Sequence, residues 1–212
     1  MLKSFASSEH RPMNDHLPYN DFFEKLSFEN EELDKGRILL SEPWLPDPNF
    51  SRSVILLTGQ SEDGCVGFTL NKPSELMLSD VVEYSFGEQF PIYHGGPVEG
   101  DSLFFLHSLG QELKGAVQVF DKLYWGGDFD QLQFMMKNGL VAQSDVKFFM
   151  GYAGWAGGQL EYELEERSWL VKKLNRLNPL SPLNRESWVD VLGSYGKKYE
   201  LLASFPENPS LN

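Results

Sequence analysis

Few side chains in this sequence are spaced for chemistry, and the most distinctive segment is built largely of glycine. Gly151-Tyr-Ala-Gly-Trp-Ala-Gly-Gly158 follows an apolar run and precedes a helical pattern. A strand-to-helix turn leaves backbone N–H groups free at the positive end of the helix dipole, which suits a phosphate or carboxylate. Gly154, Gly157 and Gly158 would let a ligand approach the main chain closely. Trp155 among them is either a core plug or an exposed anchor. The spacing G-x-x-G-x-x-G-G is not the dinucleotide fingerprint G-x-G-x-x-G, and the phosphate loop G-x-x-x-x-G-K-[ST] occurs nowhere in the chain. A tight turn and a small-ligand or partner site both stay open.

A second candidate is Tyr93-His-Gly-Gly-Pro-Val98. His94 at a strand end has the chemistry of a base or a metal ligand. His107 ends the following run, with Glu99 and Asp101 between them. Two His and a carboxylate could hold zinc with an open position, but no His-x-Glu, H-E-x-x-H or Cys-His spacing supports a metal. A hydrogen-bonded structural His beside the turn Gly95-Gly96-Pro97 is the simpler expectation.

Leu70-Asn-Lys-Pro73 is a rigid strand exit, because Asn71 tolerates turn conformations and Pro73 forces Lys72 extended. Arg52, just before a strongly apolar run, could grip a carboxylate or phosphate with its two-pronged guanidinium, or pair with one of the many acids. Nucleophilic catalysis lacks a G-x-S-x-G elbow, and Cys65 lies inside an apolar run without an activating neighbour. Helix capping explains the acids of Gly126-Gly-Asp-Phe-Asp130 without a metal.

These residues need elements to hold them. Arg37–Leu40 reads as a strand stopped by Pro43, Pro46 and Pro48. Ser53–Thr58 and Cys65–Leu70, joined by the turn Gly59–Gly64, read as an antiparallel hairpin. A short helix is expected over Ser79–Tyr84, and strands at Pro91–His94, Ser102–His107, Val117–Phe120, Val146–Met150 and Trp169–Val171. Asp128–Met136 has apolar residues at three- and four-residue spacing, a capping Asp128 and a stop at Gly139. Gln159–Arg167 reads as a helix with Glu163 and Arg167 spaced for an ion pair. Ser181-Pro182 should open a last helix with the stripe Trp188, Val191, Leu192, Tyr195. Hairpins first, then helices mixed with single strands, is the α+β pattern. The expectation is one domain over residues 36–212, a mainly antiparallel sheet with packed helices and room for strong curvature. Residues 1–35 form a weakly organised arm, in which Phe22, Phe23, Leu26 and Phe28 could pack one helical turn.

Composition narrows the setting. The 212-residue chain carries net charge −13, which argues against nucleic acid as a direct partner. From Arg167 onward, however, seven Lys or Arg face four acids, a solvated helical face or a docking surface for an acidic partner. One cysteine makes no internal disulfide and fits a reducing compartment. No apolar stretch reaches the roughly 20 residues that span a bilayer, and the first residues lack a signal core. A cytoplasmic location follows as the expectation.

Six motifs together resemble one family: Gly36-Arg-Ile-Leu-Leu-Ser-Glu-Pro43, Phe50-Ser-Arg-Ser-Val-Ile-Leu-Leu57, Gly67-Phe-Thr-Leu-Asn-Lys-Pro73, His94-Gly-Gly-Pro-Val98, Gly127-Asp-Phe-Asp130 and Gly151–Glu161. In order and spacing they are similar to the YqgE/AlgH family of bacterial proteins from about Gly36 to Val171. The closing Phe205–Asn212 resembles the tail of one branch of it. The resemblance implies a compact α+β domain and a regulatory, transcription-linked role in some bacteria, with no established reaction and no agreed catalytic residues. The resulting expectation is a non-enzymatic regulatory domain that binds a protein or a small anionic ligand, without a cofactor or metal. Its surface would comprise Arg52, Asn71, Lys72, His94, Gly95, Gly96, Gly154, Trp155, Gly157 and Gly158. The alternative is an enzyme for a small anionic substrate, with His94 as base and the 151–158 turn holding the anion.

Overall fold

The computed structural model describes residues 29–83, 89–175 and 177–207. The expected helical turn at Phe22–Phe28 and the last residue of the expected helix at Ser79–Tyr84 lie outside them.

The first strand, β1 (Arg37–Ser41), is flanked on both edges, and its run of Ile and Leu is buried on both faces, as a central strand requires. It pairs antiparallel with β2 (Val54–Ser61), which turns back into β3 (Gly64–Thr69). The loop between them is only Glu62-Asp63. Gly59, Gln60 and Ser61, expected as turn, stay paired with β3 after a register shift past Leu57. A bulge absorbs the polar residues without ending the ladder. Pro73 begins β4 (Pro73–Met77), which leads through the single-turn helix α1 (Leu78–Val81) to β5 (Pro91–His94). Then follow β6 (Val98–His107) and the hairpin of β7 (Val117–Phe120) and β8 (Leu123–Trp125).

Asp128 caps α2 (Phe129–Lys137), its carboxylate accepting from the Gln131 N–H, and Gly139 at φ +69° closes it. Next comes β9 (Val146–Ala156), and here the sequence expectation is corrected. Gly151 to Ala156 is not a turn; the strand continues through those glycines, with a register shift against β6 at Gly151, whose φ is +68°. Only Gly157 and Gly158 turn, into α3 (Gln159–Glu165), and β10 (Trp169–Lys173) returns beside β1. The last helices are α4 (Ser187–Gly193) and α5 (Lys197–Ala203). The first of them begins five residues later than Ser181-Pro182 predicts. Asn184 and Ser187 exchange side-chain to backbone hydrogen bonds of 3.1 and 3.0 Å and start the helix there.

The strands form one ten-stranded sheet in the order β10-β1-β2-β3-β9-β6-β8-β7, with β4 and β5 joined at β9. All pairings are antiparallel except that of β5 with β9. The fold is α+β, and the sheet does not close. One face gathers the largest core from both halves, including Ile38, Leu56, Phe68, Tyr93 and Phe149, and α4 and α5 cover it with Trp188, Leu192 and Leu202. On the opposite face, α2 seals Ile92, Phe105 and Phe148, and α3 seals Leu39, Ile55 and Trp169. The described end of the N-terminal arm is tied to β10. Glu31 N–H donates to the Val171 carbonyl at 3.0 Å, and Asn30 accepts from the Val171 N–H.

Candidate anion-binding site

The ten residues singled out in the sequence do not share one surface. The structure places them at three positions: the β5–β6 connection, the far end of β9 with the turn after it, and the segments that precede β2 and follow β3.

The two glycine motifs meet each other. His94 of β5 lies opposite Met150 on one edge of β9, and Val98 of β6 lies opposite Tyr152 on the other edge. Residues 95–97 must therefore cross the face of β9. A Cβ on Gly95 would stand 2.1 Å from the Gly151 carbonyl oxygen, and one on Gly96 would stand 2.2 Å from Tyr152 backbone atoms. Reciprocally, a Cβ on Gly151 would meet the Gly96 oxygen at 2.5 Å. These glycines let one main chain pass over another, and the space a ligand would need is filled by protein backbone.

Trp155 and the Gly157-Gly158 turn stand at the far end of β9. Trp155 is 5% exposed and therefore a core plug. Its indole N–H donates to Glu163 Oε2 at 2.9 Å, and the Trp169 indole donates to the same oxygen at 2.7 Å. Phe50 stacks on Trp155, with centroids 6.0 Å apart. One carboxylate on α3 thus pins two strands. Gly154 pairs with Val66 inside the sheet. From Met150, beside His94, to Gly157 is seven residues of strand, about 23 Å. No small substrate could touch both His94 and the amides at the start of α3.

Nor do the two histidines meet. His94 is exposed, whereas His107 is fully buried opposite Val146, four residues and about 13 Å down β9 from the partner of His94. The His107 Nε2–H donates to the Gly126 carbonyl at 3.0 Å, and Nδ1 accepts from the Leu109 N–H at 3.2 Å. Burial pushes its imidazole pKa down. It is a structural, neutral histidine. Among the described residues no group of three His, Cys, Asp or Glu could hold a metal ion. Cys65 is buried in β3, and burial raises its thiol pKa, so it lacks the thiolate a nucleophile needs.

Arg52, Asn71 and Lys72 do come together. Asn71 is fully buried: its Oδ1 accepts from the Val54 N–H and its Nδ2 donates to the Arg52 carbonyl, each at 2.9 Å. This clamp holds Arg52 at φ +50°, a left-handed conformation that costs a non-glycine residue about 1–2 kcal/mol. The Arg52 guanidinium lies over the Trp188 ring, 5.0 Å from its centroid. Its Nη2 donates to the Phe205 carbonyl, and its Nε, buried without a hydrogen bond, stands 3.7 Å from the Glu207 carboxylate. Arg185 reaches the same Glu207 oxygen at 2.8 Å. Lys72 donates to the carbonyls of Pro48 and Asn49, and burial together with nearby Arg185 lowers its pKa to about 8, partly offset by Asp47. Three cations thus converge where a −13 chain would otherwise be acidic. Sequence spacing could not reveal Arg185 and Glu207, which join Arg52 from more than a hundred residues away.

An apolar cleft of about 450 Å³ lies on the α2 side, lined by Val82, Leu103, Phe105, Phe129 and Met150, with Asp101 the single ionisable side chain among the described lining residues. Among the described residues no helix is long and apolar enough to cross a membrane.

The fold is that of an open-sheet α+β protein, and Arg52, Lys72 and Arg185 form a basic cluster on it. The comparisons with known proteins agree on the lineage. The sequence profile of the AlgH-like family matches residues 38–200. A UPF0301 protein of Cytophaga hutchinsonii is 42% identical over 183 residues, spanning 85% of this chain and 100% of that one. A UPF0301 protein of Bacteroides fragilis is 38% identical over 189 residues, spanning 89% and 96%. The solution structure of the AlgH protein from Pseudomonas aeruginosa superimposes with a TM-score of 0.65 at 28% identity, covering 83% of this chain and 98% of that one. A crystal structure from Corynebacterium diphtheriae shares the fold, with a TM-score of 0.69 at 23% identity over 87% and 97% of the two chains. This chain belongs to the AlgH-like family.

Proposed function

We propose that this protein is a non-enzymatic regulatory domain that binds an anionic ligand or an acidic segment of a partner at Arg52, Lys72 and Arg185. One observation carries this: Arg52 and Arg185 converge on the Glu207 carboxylate with Lys72 close enough to feel the Arg185 charge, and Arg52 is held in a strained conformation with its Nε lacking a hydrogen bond. Strain of this kind persists where the surrounding structure over-determines it, and it clusters at functional sites. Regulation would act through this partner rather than through direct DNA contact, for which net charge −13 is unfavourable. A cytoplasmic setting belongs to the same proposal, supported by a single, buried, unpaired cysteine.

Catalysis with His94 as base gains no support from this cluster. The His94 N–H donates to the Lys72 carbonyl at 2.8 Å. Alternation along β5, however, sends the His94 side chain to the face opposite Tyr93, whereas Trp188 beneath Arg52 packs on the Tyr93 side.

The test is calorimetric titration of the full chain with inorganic phosphate and with succinate. Saturable binding is expected, tightened at least about threefold in Glu207→Gln, which removes the competing charge, and lost in Arg185→Ala. Absence of saturable binding to both the wild type and Glu207→Gln overturns the proposal.

A further inference from the structure

What occupies the basic cluster in this structure is not a lone carboxylate but three consecutive residues of the chain itself. After α5 the segment Phe205-Pro206-Glu207 lies against the body, and each residue is gripped. The Phe205 ring packs on Trp44, with centroids 5.1 Å apart and planes tilted by 34°. The Phe205 carbonyl accepts from Arg52 Nη2, and the Pro206 carbonyl accepts from Trp44 Nε1 at 2.9 Å. Glu207 reaches Arg185 at 2.8 Å and Arg52 at 3.7 Å.

Side chains make these main-chain contacts; neither a strand ladder nor a helix does. Proline-containing segments are recognised this way elsewhere, because proline fixes an extended backbone, donates no N–H and leaves its carbonyls for aromatic N–H and guanidinium donors. The slot therefore reads an aromatic ring, two carbonyls and a carboxylate in fixed order. The resident segment is held by few contacts at its acidic end, where the Glu207 and Arg185 side chains are 51% and 59% exposed. Such a segment opens locally at far lower cost than global unfolding.

We infer that the Trp44–Arg52–Arg185 slot is a peptide-docking site for an extended aromatic-proline-acid segment of a partner protein. The chain's own Phe205-Pro206-Glu207 occupies it in cis and competes with that partner. This rests on the anion-binding proposal above and adds the chemistry of the partner to it. Charge complementarity favours an acidic segment, and the resident residues supply the template.

The experiment uses the full chain carrying Phe205→Ala and Glu207→Ala, which unseat the resident segment, and a fluorescein-labelled peptide with the sequence of residues 203–209, followed by fluorescence anisotropy. Binding is expected with a Kd of roughly 10–100 µM. Affinity for the wild-type chain is expected to be about tenfold weaker or worse, because a tethered competitor acts at roughly millimolar effective concentration. Adding Trp44→Ala or Arg185→Ala to the double variant, or replacing the peptide's phenylalanine by alanine, should abolish binding. A folded double variant, checked by circular dichroism, that fails to bind the peptide at about 1 mM overturns the inference. If the double variant does not fold, Glu207→Gln takes its place. Peptide binding about threefold tighter than wild type then supports the slot, and equal or absent binding overturns it. Concentration-dependent dimerisation of the wild type that disappears in the double variant would make a second copy's tail the occupant, and overturns a separate partner. Phosphate titrations on the same proteins separate the two proposals. Phosphate binding without peptide binding removes only this inference. Peptide binding indifferent to Arg185→Ala removes the anion site and leaves an aromatic slot.

Discussion

A Cβ placed on Gly95 would stand 2.1 Å from the carbonyl oxygen of Gly151. The two glycines belong to motifs more than fifty residues apart, and their approach is what leaves no room for a side chain at either position. The chain leaves β5 on one edge of β9 and enters β6 on the other, so it must cross β9 at van der Waals distance. At Gly95 and Gly96 only backbone without a side chain passes.

Substitutions at the crossing should therefore be far costlier than at the exposed turn nearby. Gly95→Ala and Gly151→Ala are each expected to lose roughly 3 kcal/mol or more, because a backbone carbonyl rather than a flexible side chain must move. At Gly158 a Cβ would meet nothing within 4 Å, and only the positive φ of +77° is penalised. Gly158→Ala should cost about 1–2 kcal/mol. Urea denaturation of the three variants checks the contrast, and equal losses would dismiss the crossing as their cause.

Glu163 should matter more than its place on a short surface helix suggests. Removing it leaves the indole N–H groups of Trp155 and Trp169, 5% and 1% exposed, without their acceptor. Glu163→Ala is expected to destabilise the fold by roughly 2–4 kcal/mol, and Glu163→Gln, which keeps an acceptor oxygen, by about 1 kcal/mol. Tryptophan fluorescence during urea unfolding reports both.

Lys147 on β9 makes stability depend on pH. It is 3% exposed, donates to the Ser181 carbonyl at 2.9 Å and lies 3.9 Å from the Tyr93 ring centroid. Burial lowers its pKa from 10.5 to about 7. The unfolded chain holds this proton up to the ordinary value, so between these limits the unfolded state binds more protons than the folded one. The contribution of Lys147 therefore destabilises most at and below pH 7, and stability recovers as pH rises toward 10.5. Lys147→Met is expected to be more stable than wild type by about 1–3 kcal/mol near neutrality. That advantage should shrink as pH rises, in melting curves recorded along a pH series. A constant difference would show that the amine is not titrating.

Anion binding at the basic cluster should weaken as pH rises through about 8, where Lys72 loses its proton. Lys72→Arg keeps its charge across that range and should flatten the profile. Phosphate titrations at several pH values measure this, and a profile as steep in the arginine variant as in wild type would assign the dependence to another group.

The parts legible in the sequence are those encoded locally. The apolar runs of β1 and of Val54–Leu57 in β2 are strands because continuous burial leaves no polar positions to interrupt them. Asp128 and Gly139 bracket α2 by chemistry that acts within one turn. The short β8 escaped notice because three residues carry no periodicity. The late start of α4 escaped because the Asn184–Ser187 exchange outcompeted a proline signal.

By itself the sequence determined the α+β class, the place of most strands along the chain and the β2–β3 hairpin, since each follows from patterns a few residues long, and six motifs in order carried the family resemblance. It also singled out Arg52, Asn71 and Lys72, but only within one ten-residue surface shared with His94 and the glycine motifs. Only the tertiary structure decided that Gly151 of β9 serves a chain crossing, that Trp155 is core, and that Arg185 and Glu207 complete the basic cluster. Steric exclusion between two backbones and charge convergence across the fold depend on distances in space, which residue spacing along the chain does not contain.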